Sequence, residues 1–290
     1  MLVDAIRAEG FRLSKNRTAL FWSVLFAPVL TLAIGAITSI AIKSNETALM
    51  ADTKAPPELK ELMTSTPLDM GHALVAAAGN LANPLVLAFV VIGAATIYAG
   101  DYRWETWRLI SARNSRPNLL LGKLAVVAGL ALTARLLMLL SSLAENLIRA
   151  GIFDRTLAFS MTGEMFGRFL GLAGLGWLRI LQFTMIGMLT AVVTRSLLAA
   201  LFVPLVLGVA QALSPQMLMS MGVLPDAWLS ILVNPGAGTD AIAAMIQGGP
   251  AAAALPDGLV LKAWVSLGLW TLVPLAGALA WFRKQDLSKE

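Results

Sequence analysis

Residues 19–42 read ALFWSVLFAPVLTLAIGAITSIAI, 24 positions without a charged side chain. As an α-helix this stretch is about 36 Å long at 1.5 Å per residue, enough to cross a hydrocarbon layer of about 30 Å. A lone strand there would leave its backbone N–H and C=O groups unpaired in lipid, so a helix is expected. Five more segments follow the same rule: 73–99, 124–144, 169–193, 197–213 and 263–281. The span 197–213 is the shortest, and Ser214-Pro215 is expected to end it because proline lacks the N–H that continues a helix. The fold expected is an all-α polytopic membrane protein with six transmembrane helices.

Composition points the same way. Of the 290 residues, 58% are hydrophobic and 13% charged, against roughly 25% charged in ordinary soluble domains, and mean hydropathy is +0.76. The absence of cysteine excludes disulfide frameworks, thiolate metal sites and a cysteine nucleophile. The single histidine, His72, would have to serve alone in any His-based metal cage or Ser-His-Asp triad. Soluble enzyme, secreted disulfide module and zinc protein are therefore excluded. His72 itself reads as a loop residue, and Met217, Met219 and Met221 as adaptable filler, although thioethers also suit copper(I).

The distribution of the charges says more than their net value of +5. Counted on alternate sides of the spans, 13 Lys and Arg fall on residues 1–18, 100–123, Arg195 and the tail. The other side has 7, beside 11 of the 17 acidic residues. By the positive-inside rule the first side is cytoplasmic, so both termini are expected there, with the chain in the cell (inner) membrane. The basic pI reports this bias rather than nucleic-acid binding. The first apolar run is too long for a signal-peptide core and begins only at position 19, so the first span is expected to stay in the mature protein.

Ahead of that span, Leu2, Ile6, Gly10 and Leu13 recur at helical spacing while Asp4, Arg7, Glu9, Arg12 and Lys15 take other faces. This predicts an amphipathic helix over 1–18 lying in the inner membrane surface. A charged flank that merely orients the first span is the plainer alternative. Residues 19–290 then form one six-span unit. The polar stretch 43–72, with Pro56-Pro57 and Thr66-Pro67, reads as an outer loop with one short helix. The stretch 214–262 is mostly apolar but broken by Pro225, Asn234-Pro235, Gly236, Gly238 and Gly248-Gly249-Pro250. It predicts broken helices that dip partway into the membrane before the last span, covered by protein or lining a cavity. No internal repeat supports an inverted-repeat transporter.

Residues 100–123 read GDYRWETWRLISARNSRPNLLLGK. As a helix, Asp101, Glu105 and Arg108 share one face, with Trp104, Trp107 and Ile110 on one flank and Tyr102 and Leu109 on the other. Such a helix suits docking of a partner; interfacial anchoring by Trp and Arg is the alternative. The segment resembles the cytoplasmic loop between the second and third spans of the type-2 permease family of ATP-binding-cassette (ABC) exporters. Asp101-Tyr102, Thr106, Leu109-Ile110, Arg116 and Lys123 match that pattern. Glu105 stands where the family commonly has Gly, and Asn114-Ser115 where a Pro-containing turn is frequent.

The resemblance implies a homodimer, or a heterodimer with a similar permease, among membrane lipids. It also implies two copies of a separate nucleotide-binding ATPase that dock on a coupling helix carrying Asp101, Tyr102, Glu105, Thr106, Leu109 and Arg116. ATP and magnesium would belong to that partner and no cofactor to this chain. The sequence agrees independently: no G-x-x-x-x-G-K-[ST] motif is present, since Gly122-Lys123 lacks both the upstream Gly and the following Ser or Thr. The chain is thus not expected to be an enzyme by itself.

Two cations stand inside the spans. Arg135 lies about 18 Å along the third span from Lys123, and Arg179 about 15 Å along the fourth from Phe169. An arginine there costs at least about 2.5–3.5 kcal/mol, and none of the six segments contains Asp or Glu. Glu145 is ten residues beyond Arg135, about 15 Å up the same helix and out of direct reach without bending. Either both arginines bond helix carbonyls or snorkel to water as structural cations, or they face a wet cavity at the subunit interface and receive a negative group on the cargo. Gln182, one turn beyond Arg179, serves either role. The function expected is the permease subunit of an ATP-driven exporter. The alternative is a six-helix channel, structural or sensory component without an ATPase. The cargo is not written in the sequence.

Overall fold

A computed structural model describes residues 1–51, 67–80, 84–103, 106–107 and 114–285. In chain order these form α1 (Leu2–Lys15), α2 (Arg17–Ser44), α3 (Glu46–Ala51), β1 (Leu68–Asp69), α4 (Met70–Gly79), α5 (Pro84–Arg103) and α6 (Arg116–Ile152). Then come β2 (Leu157–Ala158), α7 (Gly163–Thr194), α8 (Leu197–Ser220), α9 (Trp228–Val233), α10 (Pro235–Gln247), α11 (Gly249–Ala253) and α12 (Leu259–Lys284). Six helices, α2, α5, α6, α7, α8 and α12, are long and apolar enough to cross a membrane. The chain is an all-α, multi-pass membrane protein.

The outward faces explain why it needs lipid. Leu198, Phe202, Val206, Val209 and Leu213 recur along α8 and are all more than half exposed. Such a stripe has no favourable place in water. Inside the bundle α7 is the central element, packed against α5, α8 and α12. Its residues Leu172, Ile180, Met188 and Ala191 enter three successive layers of core.

Two expected boundaries are corrected. The segment 73–99 is two helices, α4 and α5. Asn80 ends the first, and Pro84 opens the second at the position where a missing N–H costs nothing. Conversely, Ser214-Pro215 does not end the fifth span, because α8 runs on to Ser220 with Pro204 and Pro215 inside it. Pro215 cannot bond the carbonyl of Gln211, and the Ser214 hydroxyl donates to that oxygen instead at 2.8 Å. The third and fourth spans are also longer than expected, at 37 and 32 residues.

The amphipathic helix at the N-terminus is present as α1, but its buried face is centred on Ala5 and Glu9, while Leu2 is exposed. It packs on α6 where Gly122 has no side chain; a Cβ there would come within 2.8 Å of the Ala5 Cβ. The stretch after the first span holds one short helix, α3, and the rest of it to residue 66 lies outside the described residues. Between the fifth and last spans the broken helices α9, α10 and α11 are present, with α10 packed along α12.

At the end of the bundle remote from α1, β1 and β2 pair in parallel, with Leu68 opposite Leu157 and Asp69 opposite Ala158. Asp69 caps α4 through the N–H groups of Gly71 (2.8 Å) and His72 (3.2 Å), and also accepts from the Ser160 N–H (3.2 Å) and hydroxyl. Those bonds, the Ser160 hydroxyl first, hold its carboxyl at about 2, below the usual value. A lowered carboxyl contributes stability that is complete above its unfolded value near 3.9 and lost as pH falls through 2. The protection factors of the Gly71, His72 and Ser160 amides, relative to intrinsic exchange at each pH, should therefore fall between pH 4 and pH 2 while those of α7 do not. Unchanged protection at pH 2 would show that the carboxylate does not hold this clasp.

Candidate functional site

The end of the bundle that carries α1 also gathers the last turn of α5, the start of α6 and the last turn of α12. At its centre is Asp101, 0% exposed, facing Lys123, 1% exposed, at 2.6 Å. Arg12 reaches the same carboxylate at 2.8 Å and also pairs with Glu9 at 3.0 Å, while Glu9 lies 3.2 Å from Lys123. Thr106 donates its hydroxyl to Asp101, and Lys123 gives a further hydrogen bond to the Ile97 carbonyl at 2.7 Å. Asp101, Lys123 and Glu9 thus form a buried set that Arg12, itself half exposed, closes from the surface, and each buried charge keeps an opposite one in reach. The bond to Asp101 pushes the Arg12 guanidinium above its ordinary value.

A second contact runs alongside. Trp107 is fully buried between Tyr102 (ring centroids 5.4 Å apart) and Phe282 (4.6 Å), and Lys123 stands over its ring at 5.3 Å. Arg116 donates to the carbonyls of Phe282, Arg283 and Gln285, closing the end of α12 where helical carbonyls lack partners. The Gln285 amide donates to the Tyr102 hydroxyl at 2.9 Å and accepts from Arg195 Nε at 2.6 Å in the orientation that satisfies both.

Of the residues assigned from sequence to the coupling helix, Asp101, Tyr102, Thr106 and Arg116 come together here. All four are engaged within the chain, not presented as a free face. Glu105 and Leu109 lie outside the described residues, as do 108–113 as a whole. Sequence reasoning missed Glu9, Arg12, Lys123 and Gln285 as members of this assembly. The Glu9 to Arg12 spacing was a local signal; the pairing of Arg12 with Asp101, 89 residues away, had none.

The two intramembrane arginines separate. Arg135 donates to the carbonyls of Ala78 (2.6 Å) and Asn80 (2.9 Å) at the end of α4, which is the structural arrangement considered from the sequence. Arg179 instead lines a cavity of about 700 Å³ bounded by α5, α7, α8 and α10. One of its terminal nitrogens donates to Gln182 and the other to Gln211, both at 2.7 Å; Gln182 in turn donates to the Leu267 carbonyl at 3.2 Å. The guanidinium also stands 4.7 Å from the centroid of Phe183.

Asp240, from α10, lines the same cavity and is exposed. Surrounding protein pushes its carboxyl above the usual range, and Arg179 pulls it partly back. Gln211, a polar residue in the middle of an apolar span, was the sequence signal for this cavity that went unread. Among the described residues no group of three or more His, Asp or Glu side chains could hold a metal ion. His72 is exposed in the first turn of α4, and Met217, Met219 and Met221 all face outward. Comparison with models of known protein families gives no match, and no curated protein matches the chain.

Proposed function

We propose that this chain is the membrane permease subunit of an ATP-driven exporter, working with a separate ATPase that binds ATP and magnesium. In this reading the α1 end is cytoplasmic, and two copies of the chain, or one copy and a similar permease, engage two ATPase subunits. The observation that carries the proposal is the closed assembly at the root of segment 100–123. Through Asp101, Lys123, Arg12 and Arg116, that segment is tied at once to α1, α5, α6 and α12. A push delivered to the segment from outside the membrane therefore reaches three spans and the surface helix together. The resemblance of the segment to the exporter loop supports an ATPase as the partner, and the cavity at Arg179 is consistent with cargo passing between spans. In this reading α9, α10 and α11 dip into the outer half of the membrane and cover that cavity.

The test is capture of the chain from its native membrane, identification of bound chains, and assay of ATP-dependent transfer in reconstituted vesicles. The expected result is a complex containing an ATPase with a Walker motif, whose hydrolysis depends on the permease. A uniform complex without an ATPase, passing solute without nucleotide, would replace this proposal with a channel.

A further inference from the structure

We infer that the cavity between α5, α7, α8 and α10 binds a single-tailed zwitterionic amphiphile, its anionic group on Arg179 and Gln211 and its primary amine on Asp240. Four observations lead there. The volume of about 700 Å³ lies within the roughly 300–1,000 Å³ of small-molecule sites and is too small for a folded segment. The wall is mostly apolar, with Leu87, Val91, Phe183, Leu205 and Val209 available to a hydrocarbon chain.

Against that wall stand Arg179 and Gln211, each 5% exposed, and among the described residues Arg179 Nε and Gln211 Nε2, both buried, have no hydrogen-bond acceptor. Among the described residues the hydrogen-bond partners of the Arg179 guanidinium are the neutral Gln182 and Gln211. A cation at a cavity wall whose hydrogen-bond partners are neutral is completed by an anionic group in that cavity. The fourth observation is Asp240. Among the described residues it has no ion-pair partner, although it lines the same cavity as Arg179 and feels its charge. Opposite charges that share a cavity without meeting match a headgroup carrying both signs. A purely anionic headgroup would face Asp240 unfavourably. A quaternary amine could not donate a hydrogen bond to it.

Binding can be measured without an ATPase; that the ligand is cargo rests on the exporter role proposed above. The probes are lysophosphatidylethanolamine, lysophosphatidylcholine and lysophosphatidic acid of one chain length, titrated into the purified chain in neutral detergent. Native mass spectrometry counts bound molecules and the melting temperature reports affinity. The expected result is one saturable molecule per chain, with the ethanolamine probe binding about tenfold more tightly than the other two. Asp240→Asn should narrow that preference to about twofold, and Gln211→Leu should weaken all three probes about tenfold. Equal binding of the three probes to the parent, no saturable binding, or an undiminished preference in Asp240→Asn overturns the inference. The probe series on the parent chain decides the matter even if a variant fails to fold. Headgroup-selective binding without ATP-dependent transfer removes the exporter and leaves the site, whereas transfer without selectivity removes only the site's ligand.

Discussion

Asp101→Ala is expected to destabilise the protein by about 3–5 kcal/mol, the range for removing one partner from a buried ion pair. The carboxylate is fully buried and receives Arg12, Lys123 and Thr106. Its loss leaves Arg12 and Lys123 with Glu9 as their one carboxylate among the described residues, and Lys123, at 1% exposure, cannot turn to water. The Asp101→Leu, Lys123→Met double variant should recover much of the loss, because an apolar pair of similar volume avoids stranding a charge. Melting temperatures of the purified single and double variants in detergent check this. A single variant that melts with the parent would mean that the buried set contributes nothing to the fold. So would a double variant no better than the sum of its parts.

Arg135→Gln should cost about 2 kcal/mol of stability, and Arg179→Gln markedly less. Arg135 holds two carbonyls at the end of α4, and a hydrogen bond to a charged group contributes about 1.5–3 kcal/mol. Removing the cation also relieves about 2.5–3.5 kcal/mol of membrane burial, so the paired bonds win narrowly. Arg135→Lys should not rescue, because only the planar fork reaches both oxygens at once. Space for that fork comes from Gly176, where a Cβ would stand 3.0 Å from the guanidinium. At Arg179 the acceptors are the side chains of Gln182 and Gln211, free to find other partners when the arginine goes. Yield of monodisperse protein and melting temperature, measured side by side, test the ranking. Equal losses would remove the distinction between the two arginines.

The six spans were legible because lipid tolerates few alternatives to a long apolar helix. The break within 73–99 was not, because the sequence around it stays apolar while Asn80, at the end of α4, and Pro84, at the start of α5, mark the stop. Pro215 misled in the other direction: a proline rule cannot see that the serine beside it will satisfy the abandoned carbonyl. For the site, Arg135 and Arg179 announced themselves as charges inside apolar runs, yet nothing local told which would meet a helix end and which a cavity. That depended on the placement of α4 and α10. Asp101 was visible as important, but its partners Arg12 and Lys123 are joined to it only by the tertiary fold.

At 1.5 Å per residue, the 37 residues of α6 make a rod of about 55 Å, well beyond a hydrocarbon layer of about 30 Å. Its only proline sits in the first turn, so no kink divides it. The rod is gripped near its midpoint by Arg135, while one end carries Lys123 and Arg116 and the other leads into the β2 clasp. Such a member behaves as a seesaw: a tilt about the waist carries its ends in opposite directions, with larger excursions at the tips than at the fulcrum. A small rotation at the end facing α1 would thus arrive at the opposite face of the membrane with its sense reversed, without any helix having to bend.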